Sequence, residues 1–251
     1  MPTNRSYALS IAGFDPSAGA GILADIKTFE QHQVYGFGIQ TANTIQTENK
    51  FYDIQWTDLD FVLSSIEVLF NDYEIKAVKI GIVPSLSYLK NIVFLIKQLS
   101  PKTKIIWDTV LKSSTAFDFL TIENNSELIS ILNEVELITP NYEEILKLGT
   151  AKENADTITE RLTKNCAILI KGGHHPTETG TDFLHNQSQI FRISPENTKI
   201  YAKHGSGCVL SAAITANLAL DQNLLNACKN AKIYTEKFLL SNPSKLGYHY
   251  V

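Results

Sequence analysis

The chain has 251 residues, of which 44% are apolar and 19% charged. That is enough for one large hydrophobic core, and it rules out a disordered or coiled-coil chain. Acidic residues (26) outnumber basic ones (22), so the net charge of −4 has the wrong sign for a general nucleic-acid or membrane-surface footprint. Three cysteines (Cys166, Cys208 and Cys228) are too few and too odd for a disulfide scaffold and read as reduced thiols. The opening run MPTNRSYALSIAG is broken by Ser10 and is too short for a secretory signal. No run reaches the roughly 18 apolar residues of a membrane span. These features predict a cytoplasmic protein with neither nucleic acid nor membrane as partner.

Taken in chain order, short apolar runs alternate with amphipathic stretches. A strand is predicted over residues 7–12 and a helix from about Gly21, with Ile22, Ile26 and Phe29 on one face. Strands over 37–45 and 77–83 follow, then a helix over 87–99 and a strand over 104–107. Next come a strand over 135–139, a helix over 142–148 and a strand over 167–170. Two short runs within 181–193 flank Asn186-Gln187-Ser188 and read as a hairpin at a sheet edge. Helices over 209–220 and 224–240 close the chain. Several strands are apolar on successive residues, as in strands covered on both faces, and the alternation with helices predicts a parallel α/β sheet. The polar stretch 150–156 reads as a loop too short to separate domains, so one domain over 1–251 is expected.

In open α/β sheets, ligands sit beyond the carboxyl ends of the strands. The residues just after the predicted strands are Gly13-Phe14-Asp15-Pro16, Gln46, Asp108, Asn141 and Lys171-Gly172-Gly173. A second cluster, His204-Gly205-Ser206-Gly207-Cys208, runs into a small-residue helix. Free N–H groups at that helix start form an anion site suited to a transferring phosphoryl group. Cys208 falls in the first turn, where a thiol pKa can drop and make it a candidate base; the plainer reading is a glycine turn beside a small buried thiol. The stretch Gly19-Ala20-Gly21-Ile22-Leu23-Ala24 fits a dinucleotide fingerprint, but Asp15-Pro16-Ser17 separates it from the strand, which argues against that label. Asp25, one turn into the helix, is either a solvated acid or a buried acceptor. Asp108, Asn141 and Glu144 offer hard oxygens suited to Mg²⁺, and equally suit helix caps. His174-His175 has no partner spacing that supports zinc.

Together these segments resemble the ribokinase-like superfamily, and within it the hydroxymethylpyrimidine/phosphomethylpyrimidine kinases. The matching stretches are AGFDPSAGAGILADIKTFE (12–30), TANTIQTE (41–48), VKIGIV (78–83), DTVLKSS (108–114), LITPNYEE (137–144), LIKGGHH (169–175) and HGSGCVLSAA (204–213). The resemblance implies a three-layer α/β/α sandwich with a mostly parallel sheet. It implies ATP-dependent phosphorylation of 4-amino-5-hydroxymethyl-2-methylpyrimidine, and then of its monophosphate, in thiamine biosynthesis, by a homodimer. By position it places Gly13, Asp25, Gln46, Ile82 and Val110 at the pyrimidine. Gly205, Ser206, Gly207 and Cys208 match the anion hole, with Cys208 as candidate base. Asn141, Lys171 and His204 fall near ATP and its phosphates, and Asp108 and Glu144 near Mg²⁺. Departures from the family pattern are Ala18 for Gly, Ser206 for Thr, Lys203 for Thr, Ile82 for Met and a short C-terminal stretch. The alternatives are a pyridoxal/pyridoxine kinase of the same superfamily and a ligand-binding relative without turnover. Gln46 favours the aminopyrimidine, since an amide offers both a donor and an acceptor to its ring edge.

Overall fold

A computed structural model describes residues 5–112, 117, 119–122, 124–150, 152–174, 178–197 and 200–250. Ser113, Ser114 and His175, parts of the motifs above, lie outside the described residues. Nine strands form one sheet in the order β3-β2-β1-β4-β5-β6-β7-β8-β9. The parallel strands are β1 (Tyr7–Phe14), β2 (Tyr35–Gln46), β4 (Ile75–Ile80), β5 (Lys104–Trp107), β6 (Leu137–Ile138) and β7 (Ala167–Ile170). Antiparallel strands border them: β3 (Phe51–Trp56) beside β2, and the hairpin β8 (Asp182–Asn186) and β9 (Gln189–Ile193) beside β7. The hairpin is at the edge, as its sequence predicts, and Gln187 takes the positive φ (54°) that such a tight turn requires.

Helices cover both faces. On one lie α2 (Leu59–Asp72), α3 (Leu86–Leu99), α4 (Asn125–Leu132), α5 (Tyr142–Lys147) and α6 (Ala155–Leu162). On the other lie α1 (Gly21–Gln31), α7 (Ser206–Ala219) and α8 (Leu224–Leu240). The period-2 alternation of β1 and β4 explains the asymmetry. Leu9, Ile11, Val78 and Ile80 face α2 and α3, while Ala8 and Ala77 face α7. Small residues on both surfaces let α7 lie close to the sheet, and Val209 to Ala219 are all buried. The same alternation turns Ser10 and its register partner Lys79 toward α1 and α7.

Some predicted bounds shift. The strand expected over 77–83 is Ile75–Ile80, and Gly81 still donates to the Ile11 carbonyl at 2.9 Å before the chain leaves the sheet. The strand expected over 135–139 keeps two residues. Part of the expected loop 150–156 begins α6, whose buried Ile158 and Leu162 pack one turn apart under an Asn154 cap.

Candidate active site

The parallel strands run the same way, and the loops leaving them gather around the start of α7. Asp15, after β1, is almost fully buried and accepts from the Ser17 N–H, the Ser17 hydroxyl and the Ala20 N–H, each at 2.9 Å. His204 Nε2 meets the same carboxylate at 2.8 Å. Burial alone would raise the Asp15 pKa; the hydrogen bonds from His204 and Ser17 outweigh it and hold the carboxyl below its ordinary range. Asp15 and His204 thereby pin the loop after β1 to the loop before α7. Two glycines make the approach possible. Gly205 has φ +76°, and a Cβ there would lie 1.9 Å from the Gly19 carbonyl oxygen. Gly21 has φ +60°, and its Cβ would lie 2.2 Å from the Gly13 oxygen.

Beside these loops runs a chain of buried charges. Lys79 Nζ donates to Asp25 Oδ1 at 2.5 Å, and Ser10 Oγ donates to Asp25 Oδ2 at 2.6 Å. Both charged side chains are 0% exposed. Lys79 lies 4.0 Å from Asp108, whose oxygens also accept from Thr139, Ser211 and Lys171 at 3.0, 2.9 and 3.2 Å. Lys171 Nζ is 3.5 Å from Glu144 Oε2. That oxygen also accepts the Asn141 N–H at 2.7 Å, and Asn141 Oδ1 caps α5 in return. Burial would lower both lysines, but Asp25 for Lys79 and Asp108 with Glu144 for Lys171 hold each above the ordinary lysine range. Burial opposes the Asp108 carboxyl too, yet Lys171 and Lys79 keep it below its usual range. Burial raises Asp25 and Glu144 in spite of their lysine partners.

This geometry sorts the expected residues. A Cβ on Gly207 would lie 3.4 Å from Lys171 Nζ, so the ammonium stands at the start of α7 beside the backbone of residues 205–208. Gly13 packs on the tip of Ile82, whose carbonyl accepts from Thr41 at 2.8 Å. Gln46 Nε2 donates to Thr44 Oγ1 at 2.8 Å, and Thr44 donates to the Phe14 carbonyl at 2.9 Å. Val110 follows two residues after Asp108, its N–H on the Asp108 carbonyl. Asp25 is a buried acceptor with both oxygens engaged, one by Ser10 and the other by Lys79. His204, expected near phosphate, has its ring against Gly19 and its Nε2 on Asp15.

The expectation of a lowered thiol pKa at Cys208 is overturned. Burial pushes the thiol up to about 11, and Asp108 and Asp25 add to that. The opposing pull of Lys79 and of the Gly21 N–H is smaller. A helix start lowers a thiol pKa in a solvated setting; here desolvation over two carboxylates wins.

The donors for Mg²⁺ can be judged on the same distances. Asp108 has no exposed surface, and the Lys171 ammonium stands between it and Glu144. This does not fit an ion held directly by both carboxylates. It does fit an ion carried on phosphate oxygens and met by Glu144, whose Oε1 has no protein partner among the described residues. No cluster of three or more His, Cys, Asp or Glu suited to a metal occurs among the described residues. Sequence reasoning missed Lys79 and Ser211 as members of this cluster, and named Asp15 only for its place after β1, without its His204 partner. The signal for Lys79 was available: it is the one charge in the apolar strand run VKIGIV.

Comparison with known proteins agrees with this geometry. Residues 15–250 match the profile described as phosphomethylpyrimidine kinase. The hydroxymethylpyrimidine/phosphomethylpyrimidine kinase of Aquifex aeolicus is 35% identical, over 97% of this chain and 97% of that one. Its Escherichia coli counterpart is 30% identical over 94% and 91%. The solved phosphomethylpyrimidine kinase of Clostridium difficile superposes with a TM-score of 0.76 at 32% identity, over 92% of this chain and 98% of that one. The pyridoxal kinase of Staphylococcus aureus in complex with ADP gives a TM-score of 0.82 over 98% and 94%, but at 21% identity it speaks for the ribokinase-like fold alone. With the profile covering nearly all of the chain and relatives above 30% identity running its length, the chain belongs to the phosphomethylpyrimidine kinase family.

Proposed function

We propose that the protein transfers the γ-phosphoryl group of ATP to the hydroxymethyl oxygen of 4-amino-5-hydroxymethyl-2-methylpyrimidine, and then phosphorylates the monophosphate to the diphosphate. In the first transfer the alcohol oxygen bonds to phosphorus, the bond from phosphorus to the ADP oxygen breaks and the hydroxyl proton passes to solvent; in the second a phosphate oxygen of the monophosphate takes the place of the alcohol. The observation that carries this reading is the Lys171 ammonium beside the glycine-rich start of α7, held there by Asp108 and Glu144. The N–H groups of residues 206–208 and Lys171 are positioned for the charge that develops on the transferring group. Asn141 and Glu144 hold the α5 start next to Lys171. Asp108 holds Lys171 and faces Lys79, whose ammonium bonds Asp25 beside Ser10. Mg²⁺ bound with the nucleotide would supply neutralisation across the phosphate oxygens, and Glu144 is the residue that would help hold it.

A coupled assay of ADP release tests the proposal, with hydroxymethylpyrimidine, its monophosphate and pyridoxal run in parallel. Turnover of the two pyrimidines above pyridoxal is expected. Turnover of pyridoxal alone, or of none, overturns the reading.

The whole chain is proposed to work as one cytoplasmic domain. No helix among the described residues is long and apolar enough to cross a membrane. It is further proposed to pair as a homodimer. In support, β3 is an edge strand, and Ile45, Tyr52 and Phe61 around it are 61, 58 and 68% exposed. Sedimentation at micromolar concentration should give twice the 28.0 kDa chain mass; a single chain mass refutes the pairing.

A further inference from the structure

We propose that Lys203 is a positioning residue that fixes the anion-binding loop 204–208 by anchoring it to the turn after α8; the inference rests on that loop being the phosphoryl site. Lys203 is buried, yet its Nζ partners are main-chain oxygens rather than a carboxylate. It donates to the Ser244 carbonyl at 2.6 Å and to the Asn242 carbonyl, and sits 5.3 Å from the centre of the Tyr201 ring. An ammonium taken from water onto neutral carbonyls demands that those carbonyls be held in place.

They are. Asn242 Oδ1 accepts from the Ser244 N–H and hydroxyl at 2.8 and 2.7 Å, and its Nδ2 donates to the Leu246 carbonyl at 2.9 Å. The turn is a self-bonded socket for the lysine. The next residue uses the same socket, since the His204 N–H donates to the Lys245 carbonyl at 2.9 Å. Leu246 reaches the other loop, with a Cβ on Gly19 falling 3.0 Å from its Cδ2. The line of contact therefore runs from the turn through Lys203 and His204 to Gly205, which lies against Gly19. Asp15 holds the far side of that junction.

The test uses the full-length chain with three variants: Lys203→Met, Lys203→Arg and Asn242→Ala. Asn242→Ala removes the side-chain bonds that hold the turn and keeps the main-chain carbonyl that Lys203 meets. Lys203→Met should lower kcat about 10- to 100-fold, the scale of a small misplacement of reacting groups, with the pyrimidine KM within about threefold. Lys203→Arg, which can still donate to both carbonyls, should recover most of the rate. Asn242→Ala should reproduce the kcat loss, and the double variant should lose little more than either single one. Hydrogen exchange at the amides of residues 204–208 should quicken in both Lys203→Met and Asn242→Ala while the melting cooperativity is retained. Unchanged exchange at 204–208 in Lys203→Met, or unchanged kcat alongside faster exchange, overturns the proposal. The exchange readout needs no turnover, so a wild-type chain inactive on the pyrimidine defeats the functional reading separately.

Discussion

Replacing Cys208 by serine separates two accounts of the proton's departure. The thiol stands at about 11, so at about pH 7.5 only about 1 in 3,000 molecules carries a thiolate. General-base assistance is worth roughly 10²- to 10⁴-fold. The population penalty, about 10^3.5-fold, cancels that gain near neutral pH. A loose phosphoryl-transfer transition state asks little of a base in any case. Cys208→Ser should therefore retain kcat within a few fold at about pH 7. Raising the pH by two units multiplies the thiolate share about a hundredfold. The wild-type to serine ratio should then climb with pH, because serine has no ionised form to populate. The assay is kcat for both proteins across about pH 6.5 to 9.5, with hydroxymethylpyrimidine and ATP saturating. A constant loss of 100-fold or more across the range, or a wild-type acid limb centred near neutrality, would refute the reasoning. Either would mean that Lys79 and the helix start outweigh burial at the thiol.

Gln46→Ala should raise KM for hydroxymethylpyrimidine about 10- to 100-fold, as expected when a buried ring-edge group loses its partner, while ATP affinity stays nearly constant; an unchanged pyrimidine KM removes Gln46 from the site. Glu144→Gln keeps the size of the group and removes its charge beside Lys171, so half-maximal rate should need more Mg²⁺; an identical Mg²⁺ titration leaves Glu144 as a helix cap only. Lys79→Met strands Asp25 without its ion pair and should cost about 3–5 kcal/mol in denaturant unfolding, with Asp25→Asn added to it restoring part of the loss. Burial raises all three thiols, Cys208 to about 11, Cys166 to about 12 and Cys228 higher still. The unfolded chain therefore sheds these protons near pH 8.5 while the folded chain keeps them, and stability present below about pH 8.5 should fall above it by up to about 4 kcal/mol per pH unit, the Cys208 share being lost by about pH 11 and those of Cys166 and Cys228 only at higher pH; a flat melting temperature between pH 9 and 11 contradicts the raised thiols.

The parallel strands were legible because β1, β5 and β7 are apolar on successive residues, which only doubly covered strands require. The start of α1 was legible from Gly21 itself. Residues 51–56 and the helix over 59–72 were not, because Tyr52, Phe61 and Val68 put large apolar groups in solvent and blur the pattern. Polar residues after strands pointed to loops that the fold does bring together, Asp15 with His204 and Lys171 with Asp108 and Glu144. Their partners did not show: nothing local in the sequence says that Lys79 spans to Asp25, 54 positions away, or that His204 closes on Asp15 across 189. Those pairings come from strand register and from the packing of α1 and α7, both properties of the whole sheet. The direction of the Cys208 thiol shift was hidden for the same reason. A helix start is visible in sequence, whereas the two buried carboxylates beneath the thiol appear only after folding. Ala18 takes φ +56° in the loop, where the resemblance led one to expect glycine, so the backbone shape is kept at the strain an alanine pays there.

The central claim is that the groups around the start of α7 move a phosphoryl group from ATP to a pyrimidine hydroxymethyl oxygen. Phosphorus NMR of the protein with ATP, Mg²⁺ and hydroxymethylpyrimidine follows that transfer directly. The account predicts a phosphate monoester growing in step with ADP, followed by a diphosphate ester as the monoester is consumed. ADP appearing with inorganic phosphate alone, or with a phosphate ester only when pyridoxal replaces the pyrimidine, would contradict it.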